Sequence, residues 1–215
     1  MQPRYSATGL FIALEGGEGS GKSTQARLLE RWLSDQGFTV LVTREPGGTP
    51  VGIALRGLLL DGSAGELSPR TEALVYAADR AEHVEAVIDP ALAAGHVVVT
   101  DRYVDSTLAY QGAGRALDLT DLEWISRFAT AGLRPHLTVV LDIDPADGLA
   151  RAGVPDRIES EPLEFHQRVR EHFLQLAKTE PERYVVVSAT DSPDAVHSAI
   201  RAAVEPLLAQ VRGPS

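Results

Sequence analysis

Residues 13–24 read ALEGGEGSGKST, from Ala13 to Thr24. Within them, Gly16–Ser23 fits the pattern G-x-x-x-x-G-K-[ST]. The apolar run Leu10–Leu14 precedes it, and the amphipathic positions Ala26, Leu28, Leu29, Trp32 and Leu33 follow. Strand, glycine loop and helix in that order is the setting in which the pattern builds a phosphate-binding P-loop. Gly16, Gly17, Gly19, Ser20, Gly21 and Thr24 then bring backbone N–H groups around a ligand's phosphate oxygens, at the positive end of the new helix. Lys22 is expected to reach the β- and γ-phosphates, and Ser23 to offer its hydroxyl to Mg²⁺. The chain has only two lysines, Lys22 and Lys178, so one at this position is informative. Glu18 is the anomaly, because a carboxylate in the middle of such a loop repels phosphate.

Composition narrows the setting. At 215 residues the chain fits one α/β domain, residues 1–215, with a substantial core and small insertions. No apolar run is long enough to span a membrane, and Met1–Thr8 has no apolar stretch of the secretory kind. The absence of cysteine excludes disulfides and thiol chemistry. These features are compatible with the cytoplasm. The net charge of −10 argues against a broad nucleic-acid or anionic-membrane surface. A phosphate binder of this composition must concentrate its arginines locally. The six histidines show no metal-ligand spacing and read as structural.

Short apolar runs alternate with segments of helical period, which predicts βαβ units and a parallel sheet. Strands are expected near Leu10–Leu14, Thr39–Thr43, His96–Thr100, Leu137–Leu141 and Tyr184–Val187, giving a central five-stranded parallel sheet flanked by helices. Helices are expected near Lys22–Gln36, Val51–Leu60, Pro69–Ala94, Asp118–Ala131, Pro145–Arg151, Pro162–Thr179 and Ser192–Val211. Asp61–Glu66, Gln111–Ala116 and Ala152–Glu161 read as the least regular segments. Ligands of such a sheet bind at the carboxyl ends of the strands. The residues that matter most therefore begin at Glu15, Arg44, Asp101, Asp142 and Ser188.

A P-loop alone does not separate a switch, a motor and a kinase. A GTPase needs an Asn-Lys-x-Asp segment to read guanine, and the chain has no asparagine. A motor needs a larger chain and further motifs. Arginines after several strands suit a kinase of a small phosphorylated acceptor, with a nucleotide-binding regulatory P-loop protein as the alternative from another class.

FIALEGGEGSGKSTQ (Phe11–Gln25), VTREPGGTPVGIALRGLLLD (Val42–Asp61) and VVVTDRYVDSTLAYQGAGR (Val97–Arg115) are followed by LDIDPADGLAR (Leu141–Arg151) and DRIESEPLEFHQRV (Asp156–Val169). In these stretches the chain resembles bacterial thymidylate kinase, over roughly Gly9–Ala189. The resemblance implies a P-loop kinase fold with a small lid at about 150–161. It implies ATP- and Mg²⁺-dependent phosphorylation of dTMP to dTDP, for dTTP synthesis, by a homodimer. A kinase of another nucleoside monophosphate is the nearest alternative, with the same loop and a different base pocket.

The same resemblance turns Glu18 towards the acceptor, where it contacts the 3′-hydroxyl side of the deoxyribose. Arg56 and Arg102 are expected to clamp the acceptor phosphate, since guanidinium forks match phosphate oxygens in a way lysine does not. Arg44 ranks below them. Asp101 and Asp142 each end a strand and compete for the carboxylate role beside Mg²⁺; the Asp101–Arg102 pair of the resemblance favours Asp101. By resemblance, Tyr76 stacks on thymine, Arg80 donates to a ring carbonyl, and Thr107 bonds the base edge. Tyr110 is placed where a ribose 2′-hydroxyl would have to fit, and Gln111 borders the pocket. Arg151 is expected on adenine or beside the ATP phosphates. Arg157, beyond Ala152-Gly153-Val154-Pro155, is then the candidate to swing onto the γ-phosphate when the lid closes.

Overall fold

The computed structural model describes residues 3–61, 65–153 and 155–210. Its sheet is all parallel, in the order β2-β3-β1-β4-β5, with β1 Leu10–Glu15, β2 Val40–Arg44, β3 Val97–Asp101, β4 Leu137–Asp142 and β5 Tyr184–Ser188. Each strand runs one residue past the end of its apolar run. Glu15, Arg44, Asp101, Asp142 and Ser188 thereby become the last residues of paired strands. Arg44 and Leu14 both lie opposite Asp101 in the register, and Asp142 lies opposite Ser188. Charged groups thus collect along one edge of the sheet.

Every residue of β1 is buried, as expected of a central parallel strand covered on both faces. Leu10, Ile12 and Leu14 point to one face, where they meet Leu29 and Leu33 of α1 (Lys22–Asp35) and Val196 and Ile200 of α9 (Pro193–Val204). Phe11 and Ala13 point to the other, with Val98, Tyr103 and Ile88. This is the period of two that a pleated strand imposes. The helices α2 (Pro50–Leu60), α3 (Pro69–His83), α7 (Pro145–Arg151) and α9 each open with proline at the first helical position behind a capping side chain. The caps are Thr49, Ser68, Asp144 and Ser192.

Three segments differ from the sequence expectation. The single helix expected over Pro69–Ala94 is α3, then a π-helical stretch Val84–Ile88, then α4 Asp89–Ala93; Pro90 has no N–H to return to the preceding turn. The helix expected to Val211 leaves α-geometry after Val204 and continues as a 3₁₀ helix, Glu205–Gln210, around Pro206. Val211 lies outside the described residues, as do Met1, Gln2 and Val154. The segment after β3, expected to be irregular from Gln111, forms α5 (Val104–Thr107) and a π-helix, Leu108–Gly114. Its glycines read locally as turn formers, but Gly114 serves close packing, since a Cβ there would run into the ring of Phe165 on α8 (Leu163–Thr179). Among the described residues no helix is long and apolar enough to cross a membrane.

Candidate active site

The P-loop leaves β1 with Gly16 at φ 134° and enters α1 through Gly21 at φ 88°. Both angles favour glycine. Lys22 folds back across its own loop: Nζ donates to the carbonyls of Gly16 at 3.1 Å and Gly17 at 2.8 Å, and to Ser20 Oγ at 3.3 Å. Burial, then Arg102, pushes its pKa down. A cleft of about 410 Å³ opens over the loop, lined by Glu18 and by every residue from Gly19 to Thr24, with Arg44, Arg56, Asp101, Arg102 and Arg151 around it. Gly19 packs against Gly148 of α7, and a Cβ there would collide with the Gly148 carbonyl. That contact leaves no room for a side chain at this loop position.

Ser23 Oγ donates to Asp101 Oδ2 at 2.7 Å, at the mouth of this cleft. Asp142 is engaged elsewhere, in a two-pronged bond with Arg170 at 2.7 and 3.0 Å. Of the two strand-end carboxylates, Asp101 is therefore the one facing the P-loop. Ser23 and Asp101 together offer hard oxygen donors, a set that suits Mg²⁺.

Beside the cleft lies a second cavity, of about 130 Å³, lined by Tyr76, Arg80, Thr107, Tyr110 and Gln111 among others. Glu18, Glu45, Arg56 and Arg102 line both spaces. They form the wall where two ligands would meet. Arg102 sits in the left-handed region at φ 72°, a strained conformation for a side-chain-bearing residue. Its backbone N–H donates to the Leu14 carbonyl, and its Nη1 to Gly16 O and Ser106 Oγ. Arg102 Nη2 donates to Glu18 Oε1 at 2.7 Å, the same oxygen that takes the Tyr110 hydroxyl at 2.8 Å. The guanidinium also lies 4.9 Å over the Tyr110 ring. Burial works against the Glu18 charge, but Arg102, Lys22 and Tyr110 outweigh it and hold the carboxyl down at about 2. Glu18 is thus tolerated in a phosphate loop because an arginine and a tyrosine already occupy it.

Arg80 is fully buried. Nε donates to Glu45 Oε2 at 2.6 Å, Nη1 to Thr107 Oγ1 at 2.8 Å, and Nη2 to the Tyr103 carbonyl at 2.9 Å. Glu45 also meets His83 at 2.9 Å. Arg56 donates to the Pro46 carbonyl at 3.1 Å. Gln111 Nε2 donates to Glu72 Oε1 at 2.9 Å.

The two arginines of the expected lid are placed differently. Arg151 lines the P-loop cleft and donates to the Ala189 carbonyl at 2.9 Å. Arg157, expected to face the γ-phosphate, is held against α2 and α3: Nε donates to the Leu59 carbonyl at 2.7 Å and Nη2 pairs with Glu72 at 2.6 Å. A buried carboxylate is the cause. Neighbouring Asp156, Ile158 and Glu159 line the second cavity rather than the P-loop cleft.

Three buried acids have structural roles that the sequence expectation did not assign, although Glu15 stands at a strand end it marked and Glu45 directly after another. Glu15 accepts from the N–H groups of Tyr103 and Ser106 and from the Ser106 hydroxyl, anchoring α5; burial and Asp105 push its carboxyl up to about 8. Glu45 holds Arg80, and Glu72 holds Gln111 and Arg157. Glu72, Tyr76 and Arg80 are spaced four apart, so their common helix face was a signal available in the sequence.

The thymidylate kinase family model matches residues 14–200. A thymidylate kinase of Cutibacterium acnes is 51% identical over 200 residues, covering 93% of this chain and 98% of its own. One from a Synechococcus strain is 56% identical over 199 residues, covering 93% and 96%. The crystal structure of thymidylate kinase from Ehrlichia chaffeensis superposes with a TM-score of 0.78 at 32% identity, over 92% of this chain and 99% of that one. A P-loop at the end of β1, an arginine-walled cavity beside it and these likenesses along most of the chain lead to one statement: the chain belongs to the thymidylate kinase family.

Proposed function

We propose that the chain works as a single domain in the cytoplasm, transferring the γ-phosphoryl group of ATP to the phosphate of dTMP. A dTMP phosphate oxygen forms the new bond to the γ-phosphorus, the bond from that phosphorus to the β–γ bridging oxygen breaks, and dTDP and ADP leave. The observation that carries this reading is the wall shared by the two cavities, where Glu18, Arg56 and Arg102 face both. Arg56 and Arg102 hold the acceptor phosphate, Lys22 the β- and γ-phosphates, and Arg151 the ATP side. Tyr76, Arg80, Thr107 and Gln111 enclose the base, with Glu18 on the sugar. Ser23 and Asp101 would hold Mg²⁺, which when bound would neutralise charge on the phosphates. Transfer of this kind is mostly positioning and charge stabilisation, so no covalent enzyme intermediate is needed. ATP consumption with each nucleoside monophosphate in turn tests the reading. dTMP is expected first, dUMP weaker and purine monophosphates near background; AMP or GMP turning over fastest overturns it.

Tyr110 is proposed to exclude ribonucleotides. Its ring is buried and its hydroxyl is fixed on Glu18, so it cannot swing aside. Tyr110→Ala is expected to cut the preference for dUMP over UMP about tenfold, while Tyr110→Phe keeps most of it. Unchanged discrimination in Tyr110→Ala leaves the ring a packing residue.

Residues 150–161 are proposed as the lid, with divided roles. Arg151→Ala is expected to raise KM for ATP about tenfold. Arg157→Ala is expected to raise KM for dTMP by a similar factor, because it ties the lid to the acceptor side. A hundredfold fall in kcat with KM for dTMP unchanged would instead make Arg157 the γ-phosphate arginine.

A homodimer is proposed through α6 (Leu119–Ala129) and α3. Trp124 and Phe128 stack at 5.9 Å on the outer face of α6, 66% and 73% exposed, with Leu74 56% exposed. Apolar rings so exposed mark an interaction surface. Sedimentation equilibrium is expected to give a dimer for the wild type and a monomer for Trp124→Glu; a monomeric wild type overturns the proposal.

A further inference from the structure

Thymine and cytosine present opposite edges. Thymine offers the O4 carbonyl as acceptor and N3–H as donor, whereas cytosine offers an amino donor and a bare N3 acceptor. A pocket that separates them must hold its own groups still, because a side-chain amide turned through half a circle exchanges donor for acceptor. Such a pocket presupposes dTMP as the acceptor, the function proposed for this chain.

Glu72 of α3 is fully buried. Its Oε1 accepts from Gln111 Nε2 at 2.9 Å and Arg115 Nε at 3.2 Å, while Oε2 takes Arg115 Nη2 at 3.1 Å and pairs with Arg157 Nη2 at 2.6 Å. Burial works against its charge, but Arg115, Gln111 and Arg157 hold its carboxyl below the usual range. An ionised carboxylate only accepts. Gln111 must therefore turn its NH₂ to Glu72, which leaves the amide carbonyl oxygen as the group it offers to the cavity it lines. Arg80 lines the same cavity as a donor and is locked by Glu45, Thr107 and the Tyr103 carbonyl. A fixed donor beside a fixed acceptor suits thymine and opposes cytosine at both positions.

We propose that Glu72 is a positioning residue for base discrimination, holding the Gln111 amide with its carbonyl towards the base. The same carboxylate draws in the lid. Arg157 reaches it from that segment, and Arg115, bound to both oxygens of Glu72, also pairs with Glu161 at 2.5 Å. Seating of the lid and reading of the base share one buried hub.

Glu72→Gln keeps the shape and removes the obligation to accept, so Gln111 becomes free to turn over. The kcat/KM ratio of dTMP over dCMP is expected to fall about tenfold. In a Gln111→Ala background the same substitution is expected to leave the ratio within about twofold, as a pair acting through one contact requires. An equal loss on both nucleotides, or the full fall in ratio without Gln111, overturns the positioning role alone. A wild-type enzyme preferring dCMP overturns the dTMP reading as well. A measurement on the unmodified enzyme guards against misfolding of the variant. The Gln111 side-chain amide protons, identified by their loss in Gln111→Ala, are expected to exchange slowly with solvent before and after dTMP binds. Fast exchange in the free enzyme overturns the lock.

Discussion

Lys22→Ala is expected to lower kcat by about a thousandfold or more while the protein remains folded. Lys22 is the one lysine at the P-loop, and its ammonium is buried against the carbonyls of Gly16 and Gly17. ATP phosphates offer that ammonium better acceptors than two neutral carbonyls, so it is poised to turn from its own loop onto the nucleotide. Charge moves through the bridging oxygen as the γ-phosphoryl group transfers, and a fixed cation there acts mainly in the transition state. The loss should therefore appear in kcat rather than only in KM for ATP. Stability should change little. Burial and the neighbouring Arg102 already disfavour the charged amine, so its removal relieves a cost as well as losing three hydrogen bonds. The melting temperature is expected to stay within about 4 °C, the equivalent of roughly 1 kcal/mol in a chain of this size. A folded variant with wild-type turnover would defeat the assignment of Lys22.

Arg102→Gln is expected to cut kcat/KM for dTMP by about a thousandfold, since the half-buried guanidinium fork on the wall between the two cavities, proposed to hold the acceptor phosphate, has no substitute at this position. A second consequence falls on Glu18. Its carboxyl titrates at about 2 in the folded protein against an ordinary 4.5. The stabilisation this represents is present above pH 4.5 and is lost as the pH falls from there through about 2. Arg102 is the chief group opposing the burial of Glu18, so in Arg102→Gln that acid-side loss should shrink. Melting temperatures followed from about pH 5 to pH 2.5 are expected to fall more steeply in the wild type than in the variant. Equal slopes would show that Arg102 does not hold the Glu18 charge, and unchanged dTMP kinetics would remove Arg102 from the acceptor site.

The sequence by itself determined the strand–loop–helix of the P-loop, the five parallel strands to within a residue at each end, and the edge of the sheet where charge collects. These rest on local signals. A buried parallel strand reads as a continuous apolar run, and a capping residue followed by proline marks a helix start. Packing decided the rest. The helical path of Leu108–Gly114 is hidden in glycines whose purpose is contact with another helix. Asp101 and Asp142 are equivalent as strand ends, and it is Ser23 on the one and Arg170 on the other that separate them. Arg157 lies against α2 and α3 because Glu72, remote from it in the chain, is buried there and needs a cation. Glu15 and Glu45 stand at strand ends in the sequence and Glu72 on a helix face, but nothing local shows what each one binds. Their burial is a property of the assembled core, where an acid is kept only beside the donors that satisfy it.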